Sequence, residues 1–287
     1  MYKILKRQEL SQGVKLFELL APRIAKKAEP GQFVIIRIDE EGERIPLTIA
    51  DFDREKGTVT IIFQEVGAST QLLGKLEQGD CVLDFVGPLG KKTDIAKKGI
   101  VVCIGGGIGV APIYPIARGM RNAGNHVISI MGARSKDILI LEEEMNAVSD
   151  EVYITTDDGT KGHKGFVTDE LKRLIESGME ISEVIAIGPV VMMRSVAETT
   201  RPYKIPTVVS LNPIMVDGTG MCGGCRVQIG DESKFACVDG PEFDAHKVDF
   251  AGLMKRQRMY KSQEAQHQCH CETQGKTRGE NCQCHSH

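Results

Sequence analysis

The stretch Gly99-Ile-Val-Val-Cys-Ile-Gly-Gly-Gly-Ile-Gly-Val-Ala-Pro112 decides the fold of the central part of the chain. Its continuous apolar run, 99–104, is typical of a parallel strand that is buried on both faces. The glycine loop 105–112 precedes a predicted helix, so backbone amides and the positive end of the helix dipole can face a phosphate. For an isolated glycine-rich loop, a plain strand–helix turn remains the alternative.

Further apolar runs follow at 126–131, 151–155 and 183–187, and helical periodicity between them, for example at 168–175, predicts repeated βαβ units around a parallel sheet. Ligands of such sheets bind at the carboxyl ends of the strands. The sequence therefore predicts a nucleotide site there, and its candidate residues are Gly105, Gly106, Gly107, Gly109, Asp157, Gly188, Pro189 and Met192.

The second strand of this region ends without the acidic residue of the usual dinucleotide fingerprint and runs instead into Gly132-Ala-Arg134. This difference argues against an ordinary Rossmann dehydrogenase. Arg134 is either a contact to a nucleotide phosphate or ribose, or a solvated loop arginine, and the sequence does not choose between them.

The first part of the chain, up to about residue 96, has short strand-like runs at 31–37, 58–63 and 81–86, separated by Gly and Pro turns. This pattern predicts a small antiparallel barrel. Cys81 and Cys103 fall within apolar runs, and we expect both to lie in the core as small hydrophobic residues.

Near the C-terminus, Asp217-Gly-Thr-Gly-Met-Cys222-Gly-Gly-Cys225 is followed by Cys237, which gives the spacing D-x4-C-x2-C-x11-C. The plant-type ligand pattern of a [2Fe–2S] cluster is C-x4-C-x2-C…C, here with Asp at the first position. The sequence therefore predicts a cluster held by Asp217, Cys222, Cys225 and Cys237. A structural zinc site, completed by Asp217 or a histidine of the tail, is the alternative.

The tail, 253–287, is polar and carries Cys269, Cys271, Cys282 and Cys284 among several histidines. Such a tract can bind soft metals, but its composition cannot support a core, so we expect it to be disordered without metal.

Composition excludes other classes of function. A net charge of −3 and sparse aromatics give no reason to expect a nucleic-acid partner. No apolar run reaches the length needed to span a membrane. Nine cysteines at metal-like spacings, after a start with no apolar signal sequence, predict a cytoplasmic protein.

Five motifs in one order carry a family resemblance: Arg44-Ile-Pro-Leu-Thr48, Val66-Gly-Ala-Ser-Thr70, Gly87-Pro-Leu-Gly90, the glycine loop and the cysteine loop. Over residues 1 to about 250 the chain resembles the electron-transfer subunits of dihydroorotate dehydrogenase, within the ferredoxin–NADP reductase superfamily. With Asp at the first ligand position, it is most similar to the small subunits of NADH-dependent ferredoxin:NADP oxidoreductases, also described as sulfide dehydrogenase beta subunits.

The resemblance implies a multidomain β + α/β fold: an antiparallel FAD-binding barrel (1–97), a parallel α/β NAD-binding domain (98–210), a small C-terminal [2Fe–2S] domain (211–252) and the tail. It implies FAD contacts from Arg44, Pro46, Leu47 and Thr48, with Thr48 near the flavin ring. Gly67, Ser69 and Thr70 match the part that approaches the FAD pyrophosphate. Ile187 stands where superfamily members often have Cys beside the nicotinamide.

The function implied is hydride exchange between NAD(H) and FAD, with single electrons passing through the cluster to or from a larger flavoprotein. That partner subunit would hold NADP and iron–sulfur clusters, form a heterodimer with this chain and reach ferredoxin through the bifurcating complex. The alternatives are an electron-transfer subunit of dihydroorotate dehydrogenase itself, and a zinc-containing, non-redox nucleotide-binding partner protein.

Overall fold

The first part of the chain folds into a seven-stranded antiparallel sheet in a computed structural model that describes residues 1–259. The strand order is β6-β1-β2-β5-β4-β3-β7, and Leu83 alone separates the two edge strands in sequence, so the sheet is a nearly closed barrel. The predicted barrel is confirmed. Its elements are β1 Tyr2–Ser11, β2 Val14–Leu20, α1 Pro22–Ala25, β3 Phe33–Arg37, β4 Ile45–Asp53, β5 Thr58–Gln64, α2 Ala68–Gly74, β6 Cys81–Val82 and β7 Asp84–Leu89.

The run predicted as one strand at 81–86 is broken into β6 and β7 at Leu83. Cys81 is exposed, so the prediction that it lies in the core was wrong. The physical reason is its place on a two-residue edge strand, which has one neighbouring strand, β1, to cover it. Cys103, on the central strand of the second sheet, is fully buried as predicted.

The second part is the predicted parallel α/β sheet, with strand order β11-β10-β9-β8-β12-β13-β16, in which the last strand, β16, is Glu242–Asp244. Every pair in it is parallel except the last, in which β16 runs antiparallel to β13. Its elements are β8 Ile100–Gly106, α3 Val110–Asn122, β9 His126–Ala133, α4 Glu142–Val148, β10 Glu151–Thr156, β11 His163–Lys164, α5 Val167–Glu176, β12 Ile181–Ile187, α6 Val190–Thr200 and β13 Thr207–Ser210.

The third part, which contains the cysteine loop, packs onto the second. Its elements are the hairpin β14 Arg226–Ile229 and β15 Glu232–Phe235, then α7 Ala236–Asp239, β16 Glu242–Asp244 and α8 Phe250–Gln257. Because β16 is an edge strand of the second sheet, the two parts share backbone hydrogen bonds and one apolar core. Helix α8 crosses the predicted domain boundary at residue 252 and buries Phe250 and Leu253 in that core.

The barrel and the α/β sheet are joined by an apolar layer and by an ion pair at its edge. Val14, Ala50 and Ile62 of the barrel pack in the same cluster as the buried face of α3. At the edge of this layer the Arg118 guanidinium forms two hydrogen bonds with the Asp51 carboxylate, and this contact raises the pKa of Arg118. The barrel is therefore held against the sheet by the helix that follows the glycine loop.

All three parts meet around the side chain of Glu242. Thr93, in the connection between the barrel and the sheet, donates a hydrogen bond from its Oγ1 to Glu242 Oε1 at 2.6 Å. Gly31 of the barrel lies so close that a Cβ there would be 2.8 Å from the same carboxylate oxygen. Burial is the main cause that raises the pKa of Glu242 to about 7. The charges of Glu183 and Asp94 act in the same direction, while the hydrogen bond from Thr93 and the charge of Lys98 act against it.

This junction predicts a pH-dependent stability. Since the folded state holds the Glu242 proton more tightly than the unfolded state does, the contribution of this group to stability falls as pH rises from about 4.5 to about 7. We expect the Glu242→Gln variant, which is neutral at every pH, to match the parent at pH 5 and to be more stable at pH 8, by up to about 3 kcal/mol.

Thermal unfolding midpoints of parent and variant, measured from pH 5 to 8, test this expectation. Glu40→Gln, which changes an exposed loop carboxylate, is the matched control. A difference in midpoint between Glu242→Gln and the parent that stays constant over the range would contradict it.

Candidate functional site

A groove of about 1180 Å³ lies between the barrel and the carboxyl ends of the parallel strands, with the third part of the chain along one side. Its walls are largely apolar. The residues that line it and were predicted as nucleotide contacts are Pro46, Leu47, Thr48, Thr70, Gly106, Gly107, Gly109, Asp157, Gly188, Pro189 and Met192.

The register of the parallel sheet brings the second half of that set together. Gly106 of β8 pairs with Gly132 of β9, and Gly105 pairs with Ile187 of β12, so the loops after these strands open at one edge. The glycine loop turns tightly there, because Gly107 has a φ of +56° and α3 begins at Val110. Backbone amides at the start of a helix can approach a phosphate closely where no side chains intervene.

Three glycines of the loop are crowded by their neighbours. A Cβ on Gly105 would lie 2.8 Å from Val110 Cα. A Cβ on Gly109 would lie 2.1 Å from the Ile187 carbonyl oxygen, and one on Gly106 would lie 2.3 Å from Met192 Sδ. At Gly107, by contrast, a Cβ would meet no protein atom within 4 Å, so this position faces open space in the groove. The loop therefore combines close packing against β12 with an open backbone toward the site.

On the barrel side, β4 presents Pro46, Leu47 and Thr48 along one wall, and β3 pairs with it in antiparallel register, Phe33 opposite Thr48. Thr70 fixes the turn before α2, since its Oγ1 accepts hydrogen bonds from the Val66 and Gly67 amides. Four predicted residues do not line the groove: Arg44, Gly67, Ser69 and Gly105. Ser69 instead donates its hydroxyl hydrogen bond to the Glu43 carboxylate.

Several groove residues were missed by sequence reasoning, among them Gln64, Phe166, Thr168, Ser195, Asn212, Pro213 and Met215. Asn212 and Pro213 follow β13, a four-residue strand that the sequence did not predict. Recognising that strand would have placed them at the same carboxyl edge as the glycine loop. Phe166 carried no such signal, because it follows a two-residue strand, β11.

The cysteine loop brings its predicted ligands together as two pairs. Cys225 Sγ lies 3.2 Å from Cys237 Sγ, and both residues are buried. Asp217 and Cys222 form the other pair, in which Asp217 Oδ2 accepts a hydrogen bond from the Cys222 amide at 2.8 Å. Within residues 1–259 no three His, Cys, Asp or Glu side chains converge in the manner of ligands to one ion.

Left-handed glycines shape this loop, with φ values of +73° at Gly218, +85° at Gly220 and +66° at Gly223. Backbone amides also face the sulfurs: Gly224 N lies 3.4 Å from Cys222 Sγ, and Cys237 N lies 3.5 Å from Cys225 Sγ. The adjacent Cys225 and Cys237 sulfurs, with Asp217 and Cys222 joined through the Cys222 amide, suit a cluster with two irons better than a single ion. The thiol and carboxylate donors, their pairing and the amides near sulfur therefore fit a [2Fe–2S] cluster.

Two acidic groups of the cysteine loop have pKa values shifted in opposite directions. The Thr219 amide, and then the Cys222 amide, lower the pKa of Asp217 by donating hydrogen bonds to its carboxylate. Burial, and then the adjacent Cys225 thiol, raise the pKa of Cys237 to about 12. Without an electropositive partner, the Cys237 thiol is held protonated. A bound metal ion would supply the missing positive charge.

The surface around the loop is apolar. Met221 is 89% exposed, and Val216 and Val238 are exposed as well, beside the exposed Cys222. Exposed large apolar side chains that cluster around a functional loop are typical of a contact surface for another protein. In the stretch 1–259 there is no helix whose length and apolar character would let it span a membrane.

Comparison with known proteins gives two family matches. Residues 212–249 match the iron–sulfur cluster binding domain of dihydroorotate dehydrogenase B, and residues 103–198 match the oxidoreductase NAD-binding domain. These are the two parts of the chain that hold the cysteine loop and the glycine loop.

Among relatives, a dihydroorotate dehydrogenase B (NAD(+)) electron transfer subunit homolog from Thermotoga maritima is 45% identical over 262 residues, which is 91% of this chain and 92% of that protein. One similar solved structure is a chain of the NADH-dependent reduced ferredoxin-NADP oxidoreductase, from a study of flavin-based electron bifurcation. It superimposes on this chain with a TM-score of 0.89 at 43% sequence identity, and the match covers 94% of this chain and 97% of that one. A ferredoxin NADP+ reductase from Neisseria gonorrhoeae shares the fold, with a TM-score of 0.58 at 18% identity over 71% of this chain and 90% of that one.

Proposed function

The chain belongs to the family of dihydroorotate dehydrogenase B electron-transfer subunits, in the ferredoxin–NADP reductase superfamily, and we propose that it is the NAD(H)-linked subunit of an electron-bifurcating NADH-dependent ferredoxin:NADP oxidoreductase. It is an oxidoreductase subunit that exchanges hydride between NAD(H) and FAD and passes single electrons through a [2Fe–2S] cluster. One observation carries this function: a single groove is lined by the barrel motif, the glycine loop and the segment that leads into the cysteine loop.

The residues of this groove suit two dinucleotides whose reactive rings must meet. Leu47 and Thr48 supply an apolar wall and a hydroxyl from the barrel, and Gly107 supplies open backbone from the sheet. Hydride transfer between cofactors depends on placement and on exclusion of water rather than on a protein acid or base. Ile187, where many superfamily members have Cys, is therefore compatible with the reaction, and it lines the groove as an apolar contact.

When bound, FAD supplies the conversion between two-electron and one-electron chemistry that a nicotinamide lacks. The protein's part is to hold the two sites at fixed positions. The family contacts proposed for FAD are Arg44, Pro46, Leu47, Thr48, Gly67, Ser69 and Thr70; those proposed for NAD(H) are Gly105, Gly106, Gly107, Gly109, Asp157, Gly188, Pro189 and Met192.

For the cluster we propose two ligands on each iron, Asp217 with Cys222 and Cys225 with Cys237. The pairing in the structure and the match of this segment to an iron–sulfur binding domain support this assignment over zinc. The Cys/His pairs of the tail, 269–287, which could offer a rival ligand, lie outside the described residues.

The partner we propose is a larger flavoprotein subunit with an NADP site and iron–sulfur clusters, which forms a heterodimer with this chain and connects it to ferredoxin. The apolar surface of Val216, Met221 and Val238 supports this proposal, because it surrounds the predicted one-electron exit at Cys222. We place the complex in the cytoplasm.

The first prediction tests the cofactors. Protein purified anaerobically should show flavin absorption together with iron–sulfur absorption, and NADH should bleach the flavin bands. Denaturation should release FAD in proportion to the protein. Release of no FAD, or a colourless protein that contains zinc, would show that the proposed function is wrong.

The second prediction concerns Asp217. Asp217→Ala should perturb or abolish the [2Fe–2S] spectrum, whereas Asp217→Cys should retain the cluster with a shifted reduction potential, since a carboxylate oxygen is a harder donor than a thiolate. Electron paramagnetic resonance and potentiometric titration of the purified variants measure both effects.

Truncation after Met259 is the matching control, because it removes the tail thiols and keeps α8, whose Arg256 donates a hydrogen bond to the Gly224 carbonyl of the loop. The truncated protein should keep the parental spectrum. If truncation loses the cluster while Asp217→Ala leaves it unchanged, the fourth ligand is in the tail and Asp217 is a turn residue.

The third prediction concerns the partner surface. Met221→Lys places a charge in the apolar patch and should greatly reduce recovery of the flavoprotein partner with the tagged chain from native cells, while the FAD and cluster spectra stay parental. Leu20→Lys, at an exposed apolar position on the barrel, is the control and should recover the partner in full. Equal recovery with both variants would place the interface elsewhere.

A further inference from the structure

The last helix of the described chain, α8, contacts the cysteine loop through one arginine. Arg256 Nη2 donates a hydrogen bond to the Gly224 carbonyl oxygen at 3.1 Å. Gly224 lies inside the C-x2-C segment, directly before Cys225, and Arg256 is half-buried. A guanidinium group is therefore fixed against the backbone of the predicted cluster loop, although nothing in the cysteine spacing points to it.

Helix α8 is itself held at both ends. At its start, Asp249 Oδ1 accepts a hydrogen bond from the Gly252 amide at 3.0 Å, and Leu253 is buried in the core shared with the parallel sheet. At its end, Gln257 Nε2 donates hydrogen bonds to the Asn212 carbonyl oxygen at 2.9 Å and to Asn212 Oδ1 at 3.1 Å. Asn212 lines the groove, so the two consecutive residues that end the helix hold the cysteine loop and the groove wall.

The hydrogen bond from Arg256 fixes the direction of a loop amide. The peptide between Gly224 and Cys225 is trans, and in a planar trans peptide the carbonyl and the N–H point in opposite directions. A held Gly224 carbonyl therefore sets the direction of the Cys225 N–H. On the other side of the same residue, Gly224 N lies 3.4 Å from Cys222 Sγ. Hydrogen bonds to the sulfurs are one means by which a protein sets the reduction potential of an iron–sulfur cluster.

Arg256 also brings a positive charge to the loop, and within residues 1–259 no carboxylate forms an ion pair with it. Reduction of a [2Fe–2S] cluster by one electron adds one negative charge, which a nearby guanidinium stabilises. Because Arg256 is half-buried, water and salt screen its charge less than that of Arg226, the exposed residue that follows Cys225.

We propose that Arg256 is a positioning residue for the cluster, which holds the peptide between Gly224 and Cys225 in place and raises the reduction potential of the [2Fe–2S] cluster through its charge. This inference rests on the proposed function. It adds to the cysteine motif a residue on a helix that begins after the matched iron–sulfur segment, 212–249. With this charge in place, the cluster accepts an electron more readily than the same loop would without it.

The experiment uses the full-length protein, purified anaerobically with its cofactors. Arg256→Met removes the charge and the hydrogen bond, whereas Arg256→Lys keeps the charge. Potentiometric titration followed by electron paramagnetic resonance should show a lower reduction potential for Arg256→Met. At a fixed ambient potential, its ratio of reduced to oxidised cluster should fall about tenfold, which is about 59 mV for a one-electron couple. Arg256→Lys should recover most of this loss.

Two controls separate charge from folding. Arg258→Met removes one positive charge from an exposed position of the same helix, and within residues 1–259 the Arg258 side chain forms no hydrogen bond with the loop. Its reduction potential should stay close to that of the parent. Higher ionic strength should reduce the difference in potential between the parent and Arg256→Met, because salt screens a charge and leaves a hydrogen bond largely unchanged.

The outcomes are distinguishable. A parent protein without a [2Fe–2S] signal would show that the proposed function itself is wrong. If Arg256→Met keeps the cluster at the parental potential, the inference about Arg256 alone is overturned. It is also overturned if Arg256→Lys has the same lowered potential as Arg256→Met, because the charge would then have no effect.

A further variant is needed if Arg256→Met loses the cluster. Arg256→Gln keeps a hydrogen-bond donor without the charge, so a potential below that of Arg256→Lys would support the inference and an equal potential would overturn it. Loss of the cluster from all three variants would show that Arg256 serves folding alone, which also overturns the proposal.

Discussion

The site depends on one contact that only glycine permits. Gly109 packs so closely on the carbonyl of Ile187 that any side chain would overlap the backbone of β12. This contact sets where α3 begins, and α3 in turn carries Arg118 to Asp51 and the apolar face that holds the barrel. A helix that started elsewhere would move the barrel wall relative to the glycine loop, so the width of the groove depends on this close approach.

The sequence predicted those features that depend on local pattern. Apolar runs such as 99–104 and 126–131 are long and continuous, and their strands were found as parallel neighbours, as expected. The glycine loop and the spacing of Asp217, Cys222, Cys225 and Cys237 likewise specify local geometry. The structure places Cys225 Sγ beside Cys237 Sγ and the Cys222 amide against the Asp217 carboxylate.

Features that depend on contacts between distant segments were not visible in the sequence. Strand β13 has four residues, and β16 has three and is defined by pairing with β13 rather than by its own pattern. Phe166 reads as an ordinary apolar residue before a helix, and its exposure is known only once Val167 is seen to take the buried place against Gly132. The prediction that Cys81 is buried was wrong for the same reason. Its neighbours in sequence are apolar, but it lies on a two-residue edge strand that no other segment of residues 1–259 covers on its outer side.

The pairing of β16 with β13 has a consequence for the rate at which electrons could move through the chain. Because the strand that follows the cysteine loop is part of the α/β sheet, the segment proposed to hold the cluster cannot swing on a tether as a separate module would. Electron tunnelling depends steeply on the separation between carriers, and with both cofactors bound that separation would be fixed by the backbone hydrogen bonds between β13 and β16. Electron transfer within the subunit would then require no domain movement in each turnover. The direction of electron flow would be controlled by the difference in reduction potential between the two cofactors.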